Sequence, residues 1–397
     1  MAELTRTYHE LLQLEDLLPE MDPDQMEAMA RTLDAIPASN KLQDPTTSPL
    51  NSILTLDDLK RALRGAKLGS AAGPDGIPYE VWKHLHVKFE TDSKRNQPSF
   101  DVLSCMLDVL NDVQEHGVDP HTSFTLGWMC SIYKKNEKDQ LKNYRPITLL
   151  NTDYKLLTKV LSVQLATHTQ LLIHPDQYGF LPNRMIYDPI RLNQTLCAYA
   201  DYMEENGAIV ALDQEKAYNK IDHRYLTEIL RTFNLPPLFI GTVVSLYSSA
   251  STAALVNGMV SAPYKVTRGV RQGDPLSGLL FNLAIEPLAC LLHASPELEG
   301  FEIPGIKEKL IVSLYADDTT VYLSESDSYT SLQKMLATWC KASGARFNLQ
   351  KTEVIPIGTC LHRERMWTTW KVHPEDRPLQ HEIRIVEDGQ AVRCLGA

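Results

Sequence analysis

No stretch of this chain approaches the roughly twenty consecutive apolar residues that a membrane-spanning helix needs. The first residues, Met1-Ala2-Glu3-Leu4-Thr5, carry neither a basic cluster nor an apolar run, so no secretory signal is visible. The seven cysteines (Cys105, Cys130, Cys197, Cys290, Cys340, Cys360 and Cys394) are scattered, odd in number and never spaced C-x-x-C. That argues against a disulfide framework and against a zinc finger or knuckle, and it fits buried free thiols in a reducing, intracellular setting. Internal repeats and sustained heptads are missing too. Positive charge is in deficit: 39 Lys and Arg stand against 50 Asp and Glu, a net charge of −11. Phosphate neutralisation by Lys and Arg drives nucleic-acid binding, so the overall sign predicts weak affinity for such a partner.

The deficit is uneven. Residues 1–50 hold ten acids against Arg6, Arg31 and Lys41, a net of −7, whereas residues 131–160 hold seven basic residues against three acids, a net of +4. A local basic surface can serve phosphate binding even on an acidic chain. The composition is otherwise globular, 43% hydrophobic and 22% charged, and 397 residues suit one large domain or two smaller ones.

Three stretches stand apart. Residues 1–50 read as acidic helix or disorder running into a Pro/Ser/Thr/Asp-rich linker. Residues 51–120 read as helical. There Thr55 and Asp58 form a capping-box variant, Leu59, Leu63 and Ala66 recur at helical spacing, Gly73-Pro74-Asp75-Gly76-Ile77-Pro78 makes a tight turn, and a further helix covers 99–116. From 121 to 397 strand-like runs alternate with helical ones without regular βαβ order, which predicts an α+β domain. The strand candidates are Gly127–Tyr133, Gly207–Leu212, Ile311–Leu314 and Thr319–Leu323; Tyr154–Leu165 and Leu279–Leu288 read as helices.

Two acidic sites carry the chemistry. The apolar strand Gly207–Leu212 ends abruptly in Asp213, and a helix-favouring run, Gln214 to Tyr218, follows. Two β-rich runs flank Tyr315-Ala316-Asp317-Asp318, which reads as a hairpin with its acids at the bend. Crowded carboxylates raise one another's pKa, and a divalent cation relieves that. Asp213, Asp317 and Asp318, delivered from two strand ends, are the oxygen ligands Mg²⁺ prefers. Two such ions about 3.5–4 Å apart can activate a hydroxyl nucleophile and stabilise a leaving pyrophosphate. Asp213 and Asp317 are therefore expected to lie close in space.

Tyr315-Ala316-Asp317-Asp318 resembles the Y-x-D-D box of reverse transcriptases, and Asp213 with Ala217-Tyr218 resembles their first catalytic motif. Arg268-Gly269-Val270-Arg271-Gln272-Gly273-Asp274-Pro275-Leu276-Ser277 is similar to the R-G-x-R-Q-G-D-P-L-S block of non-LTR (LINE-type) retrotransposon enzymes. Asn143-Tyr144-Arg145-Pro146-Ile147-Thr148-Leu149-Leu150-Asn151 resembles their N-x-R-P-I-S-L-L-N fingers motif. Asp176-Gln177-Tyr178-Gly179-Phe180-Leu181-Pro182-Asn183-Arg184 resembles Q-x-G-F-x-x-G-R, with Asn183 where Gly is usual; Asn tolerates positive φ better than most residues. Gly344 to Thr352 is similar to G-L-x-x-N-x-x-K-T, and Arg393-Cys394-Leu395-Gly396-Ala397 to the start of the Y-L-G primer grip. The resemblance runs from about Thr55 to Ala397, with the motifs in family order.

The resemblance implies right-hand polymerase fingers and palm behind a helical N-terminal extension, ending before the thumb. It implies RNA-templated DNA synthesis with Asp213, Asp317 and Asp318 holding two Mg²⁺ ions (or Mn²⁺). Lys135 and Arg145 are then the triphosphate-contacting cations of the fingers, and Gln272 and Gly273 lie near the base pair, where glycine lets backbone approach the ligand. Gln214 lies against the nucleotide, Tyr218 blocks a ribose 2′-hydroxyl, and Lys351 protonates pyrophosphate. Asn219 departs from the family's usual Asp but is not a metal carboxylate. The implied partners are an RNA template, a DNA primer and dNTPs, with thumb or endonuclease supplied by other element-encoded segments. The chain then reads as a truncated element or an interrupted gene. Two other readings stand beside this one: a catalytically silent remnant that binds nucleic acid or protein, and an RNA-dependent RNA polymerase, against which Tyr218 and the R-Q-G-D-P-L-S block speak.

Overall fold

The computed structural model describes residues 1–15, 22–305 and 307–392. The primer-grip resemblance at 393–397 lies outside them. The helices in chain order are α1 (Ala2–Leu14), α2 (Pro23–Asp34), α3 (Leu56–Arg64), α4 (Tyr79–Lys94), α5 (Val102–His116), α6 (Thr152–Ala166) and α7 (Thr169–Leu172). After these come α8 (Tyr187–Met203), α9 (Ala217–Lys220), α10 (His223–Thr232), α11 (Pro237–Ser248), α12 (Ser277–His293), α13 (Tyr329–Ser343) and α14 (Cys360–Thr369). The strands are β1 (Leu126–Tyr133), β2 (Tyr144–Leu150), β3 (Gly207–Leu212), β4 (Ser251–Val256) and β5 (Met259–Val260). They continue with β6 (Tyr264–Lys265), β7 (Val312–Tyr315), β8 (Asp318–Ser324), β9 (Glu353–Ile357) and β10 (Arg384–Ile385).

The chain forms two compact units, each assembled from separated stretches. One comprises Met1–Leu17, Leu42–His168 and Phe233–Leu280; the other comprises Leu18–Lys41, Thr169–Thr232 and Phe281–Ala397. In the first unit the sheet order is β2-β1-β4-β5, with β6 also on β4. Strand β1 runs antiparallel to β2 and parallel to β4. Helix α3 starts where expected: Thr55 Oγ1 accepts from the Asp58 N–H at 3.2 Å, and Asp58 accepts from the Thr55 N–H at 3.1 Å. Its buried Leu59 and Leu63 join Leu103, Leu156, Leu157 and Leu161 in the helical core. The 73–78 turn is held down by α6: Asn151 Oδ1 accepts from the Asp75 N–H at 3.2 Å, and Thr152 Oγ1 donates to the Ile77 carbonyl at 2.8 Å.

The second unit is built on the sheet β10-β9-β3-β8-β7. Central β3 pairs antiparallel with both β8 and β9. Helix α8 covers one face, where Leu196 and Ala200 pack with Ile209, Phe301, Tyr322 and Ile357. The Ala284 carbonyl in α12 draws α10 and α13 together, accepting from Tyr225 Oη at 3.2 Å and Trp339 Nε1 at 3.3 Å.

The acidic composition of residues 1–50 suggests solvated helix or disorder, yet α1 and α2 each bury one face. Ala2, Thr5, His9 and Gln13 do so in α1, and Gln25, Ala28, Met29 and Thr32 in α2. Glu3 and Gln13 accept from the Ala262 and Thr267 N–H groups at 2.8 and 2.9 Å, and Asp24 pairs with Lys341 at 2.7 Å. Net charge weighs how many acids there are, whereas packing depends on where they fall around the helix.

One buried carboxylate closes the sheet's far end. Asp327, 1% exposed, accepts from the N–H groups of Glu299 (2.6 Å), Gly300 (2.9 Å) and Ser324 (2.8 Å). Removing it leaves three backbone donors short of a charged acceptor, worth about 1.5–3 kcal/mol each before compensation by water. Asp327→Ala is expected to lose about 3 kcal/mol or more of stability and Asp327→Asn less, as read by urea denaturation. Equal stability in both variants and the parent would show that the carboxylate is dispensable.

Candidate active site

Strand β3 brings the acids together. Its register with β8 runs from Gly207↔Ser324 to Leu212↔Thr319, and Asp213 and Asp318 are the next residues along the two strands. Strands β7 and β8 are joined through Tyr315↔Asp318, leaving Ala316 and Asp317 as the two-residue loop. Directly paired residues have Cα atoms about 4.5–5.5 Å apart, so carboxylates widely separated in sequence share one sheet edge. Two-residue hairpins favour positive φ at the first loop position. Ala316 takes that conformation, with φ +54°, at a cost of about 1–2 kcal/mol for a residue with a Cβ.

The loop 174–179 holds the strained turn. Gln177 Oε1 accepts from the Ala316 N–H at 3.0 Å and from the Gly179 N–H at 2.8 Å. The Leu314 N–H donates to the Asp176 carbonyl at 2.8 Å, and the Tyr178 N–H to the Leu314 carbonyl at 2.7 Å. Gly179 lies so close that a Cβ there would overlap the Ala316 nitrogen and stand 3.1 Å from the Ala316 Cβ. The sequence motif containing Gln177 and Gly179 was legible, but their task as the mount of the acidic hairpin was not. Asn183, at φ +63°, takes the left-handed conformation that Gly usually supplies.

Beyond Asp213 the chain pairs with the G-A-R-F-N-L-Q-K-T segment. The Asn348 N–H donates to the Asp213 carbonyl and the Glu215 N–H to the Arg346 carbonyl, both at 2.8 Å, with Gln214 bridged to Phe347 between them. This ladder delivers Lys351, whose Nζ lies 2.7 Å from Asp213 Oδ2. Gln214 is 5% exposed, and among the described residues neither its amide nitrogen nor its amide oxygen has a hydrogen-bond partner. Tyr218 stacks on Phe281 (ring centroids 4.8 Å apart, planes 9° apart) and meets Phe180 edge-on at 6.2 Å. Its buried hydroxyl has no hydrogen-bond partner among the described residues. Burial, and then the nearby charge of Asp317, pushes that hydroxyl's pKa well above the usual tyrosine range. Phe180 belongs to the Q-x-G-F resemblance without this contact being visible there, and Phe281 did not stand out in the sequence, because a lone aromatic carries no local pattern.

The remaining candidates lie in the other unit. Lys135 is exposed between β1 and β2, and Arg145 is exposed on β2 opposite Ile132. With exposed Lys138 and Lys142 they make the tip of this hairpin basic. The Gln272 carbonyl accepts from the Thr148 N–H at 2.7 Å, which ties the R-Q-G-D block to β2. At Gly273 (φ +117°) a Cβ would overlap the Thr148 carbonyl. The close approach this glycine makes in the structure is thus to the chain's own backbone. Asp274 is buried and accepts from Tyr154 Oη at 2.8 Å; desolvation raises its pKa.

The sheet edge thus carries one carboxylate at a strand end and two more at the adjoining hairpin turn. The chain belongs to the reverse transcriptase (RNA-dependent DNA polymerase) family, which residues 132–380 match, and its relatives mark it as the non-LTR retrotransposon kind. It is 32% identical over 338 residues to the "Transposon TX1 uncharacterized 149 kDa protein" of Xenopus laevis, an alignment covering 85% of this chain and 24% of that protein. It is 26% identical over 306 residues to the "Retrovirus-related Pol polyprotein from type-2 retrotransposable element R2DM" of Drosophila melanogaster (77% of this chain, 26% of the relative). A polyprotein from the "type-1 retrotransposable element R2" of Popillia japonica is 26% identical over 268 residues (64% and 36%). The chain thus spans about a quarter to a third of the length of these relatives. The family implies polymerase fingers and palm and the use of divalent metal ions. Among the described residues no helix is long and apolar enough to cross a membrane.

Gly179→Ala tests the mount. The added methyl must displace Ala316 and with it Asp317 and Asp318, which follow it. A misplacement of about 1 Å can cost a hundredfold in rate. Nucleotide incorporation by Gly179→Ala is expected to fall by about that factor, with a lower thermal midpoint. Unchanged incorporation would mean that the hairpin does not depend on this contact.

Proposed function

We propose that this chain catalyses RNA-templated DNA synthesis for a non-LTR retrotransposon, extending a DNA primer with dNTPs. The observation that supports the reading is the β3–β8 register, which ends at Leu212↔Thr319 and so leads into Asp213 on one strand and Asp318, next to the Asp317 turn, on the other. Three carboxylates there offer the hard oxygen donors that suit Mg²⁺, and the Lys351 ammonium at 2.7 Å from Asp213 is positive charge this cluster already attracts. Asp213, Asp317 and Asp318 would hold two Mg²⁺ ions, with Mn²⁺ as a substitute. When bound, the ions would activate the primer 3′-hydroxyl and stabilise the leaving pyrophosphate.

The chain's own residues supply selection and proton handling. Tyr218, fixed by its stack on Phe281, fills the space a ribose 2′-oxygen would need. Gln214, a buried amide without a partner, hydrogen-bonds to the incoming nucleotide. Lys351 Nζ carries the proton for pyrophosphate departure. Lys135 and Arg145 bind the triphosphate from the basic hairpin, and Gln272 and Gly273 lie near the templating base pair. The setting is intracellular. The described cysteines, all free, support a reducing compartment.

The test is primer extension by the purified chain on an RNA template with dNTPs and Mg²⁺. Asp317→Asn keeps side-chain size and removes one anionic ligand. It is expected to lower the rate on the order of a thousandfold, a loss of several kcal/mol of transition-state stabilisation. Its thermal midpoint should hold or rise slightly, since one of three mutually repelling charges is gone. A parent that incorporates no dNTP at high enzyme and low salt, where polymerase–nucleic acid binding is tightest, would leave the silent remnant as the correct reading.

Sugar selection is tested separately. Tyr218→Ala is expected to raise ribonucleotide incorporation at least tenfold relative to dNTP incorporation. An unchanged ratio would assign the exclusion to another residue.

A further inference from the structure

Away from the carboxylates of the β3 edge, a second cluster of ligating groups is built by the loop after α7 and the last residue of α12. Asp176 Oδ2 lies 2.8 Å from His293 Nε2 and 3.1 Å from His174 Nδ1. The two imidazoles face each other with centroids 4.5 Å apart, and the three ligand atoms all fall within 4.8 Å of one another. We propose that His174, Asp176 and His293 form a structural binding site for a zinc-class transition-metal ion that clips the 174–179 loop to the end of α12.

Geometry and donor chemistry both support the assignment. With metal–ligand bonds of about 2.0–2.1 Å, tetrahedral coordination separates ligand atoms by roughly 3.3 Å, a few tenths of an ångström from the two spacings to Asp176. Two imidazoles and one carboxylate form a nitrogen-rich set that suits Zn²⁺, Co²⁺ or Ni²⁺ and not Mg²⁺, so this site and the all-carboxylate one call for different ions. The other ring nitrogen of His174, Nε2, lies 3.4 Å from Glu308 Oε2. A carboxylate on the far nitrogen is the usual orienting partner of a metal-bound histidine. It keeps the proton on Nε2 and leaves the Nδ1 electron pair for the metal. Without a cation Nδ1 faces contrary demands: the Asp176 N–H, a donor, at 3.3 Å and the Asp176 carboxylate, an acceptor, at 3.1 Å. No single tautomer satisfies both.

The loop that supplies two of the ligands is preorganised. Arg184 donates to the carbonyls of His174, at 2.8 Å, and Gln177, and the buried Glu286 of α12 accepts from the His174 N–H at 2.9 Å. The three ligand side chains are about one-fifth exposed, which leaves an entry path and room for water as fourth ligand. The same loop carries Gln177 and pairs with Leu314. An ion here would stiffen the mount of the Tyr315–Asp318 hairpin.

The experiment is titration of the purified chain with Zn²⁺, and with Co²⁺ for its visible absorption, in excess Mg²⁺ to occupy carboxylate-only sites. The parent is expected to take up one Zn²⁺ per chain at micromolar or lower Kd, to give a tetrahedral Co²⁺ spectrum, and to gain thermal stability with Zn²⁺. His293→Gln should weaken binding at least a hundredfold and abolish the thermal gain, while Asp317→Asn retains both. Glu308→Gln, an isosteric change at an exposed side chain, should weaken binding tenfold to a hundredfold; it decides the matter if His293→Gln folds poorly. Uptake absent in the parent, or undiminished in Glu308→Gln and in a folded His293→Gln, would overturn the proposal.

Discussion

The antiparallel pairing of β3 with β8 is the constraint on which the site rests. Side chains alternate along a strand, so a slip of one residue would send Asp213 to the opposite face from Asp318. Nearly every residue of β3 is buried, with strands on both edges and helix α8 over one face. A slip would therefore mismatch apolar packing on both faces of the strand. The core pays for precision at the sheet's edge, where crowded carboxylates repel one another.

The hairpin adds a local strain that the surrounding loop answers. Ala316 sits at positive φ, and its N–H finds its acceptor in a side chain, Gln177, from a segment far away in sequence. The contact with Gly179 leaves no free volume on that side. A turn held from outside in this way keeps the two aspartates in one arrangement despite their mutual repulsion. Lys351 offsets part of that repulsion from the opposite edge, brought there by the short ladder between 213–215 and 346–348.

Net charge says little about any of this. Several of the N-terminal acids serve structural ends: Glu3 accepts a loop N–H, and Asp24 pairs with Lys341. Exposed cations are concentrated at the tip of the β1–β2 hairpin, and Lys351 pairs with Asp213. Electrostatics at a site depend on what lies within several ångströms, because solvent and salt screen the rest.

Much of the local structure was legible in sequence because it is encoded locally. The apolar run ending in Asp213, the β-rich runs around Tyr315–Asp318, the Thr55–Asp58 cap and the left-handed Asn183 each follow from a few adjacent residues. The family was legible from the order of several such segments. Tertiary structure alone decided the strand order β10-β9-β3-β8-β7, the parallel pairing of β4 with β1, and the burial of one face of the acidic α1 and α2. It alone set Gln177 beneath Ala316, Phe281 against Tyr218, Lys351 on Asp213 and His293 beside Asp176. Such contacts join side chains from distant parts of the chain, and no residue's immediate neighbours record what will pack against it once the strands choose their partners. The sequence by itself determined which carboxylates, cations and turns this protein has; the register of a buried sheet decided which of them meet.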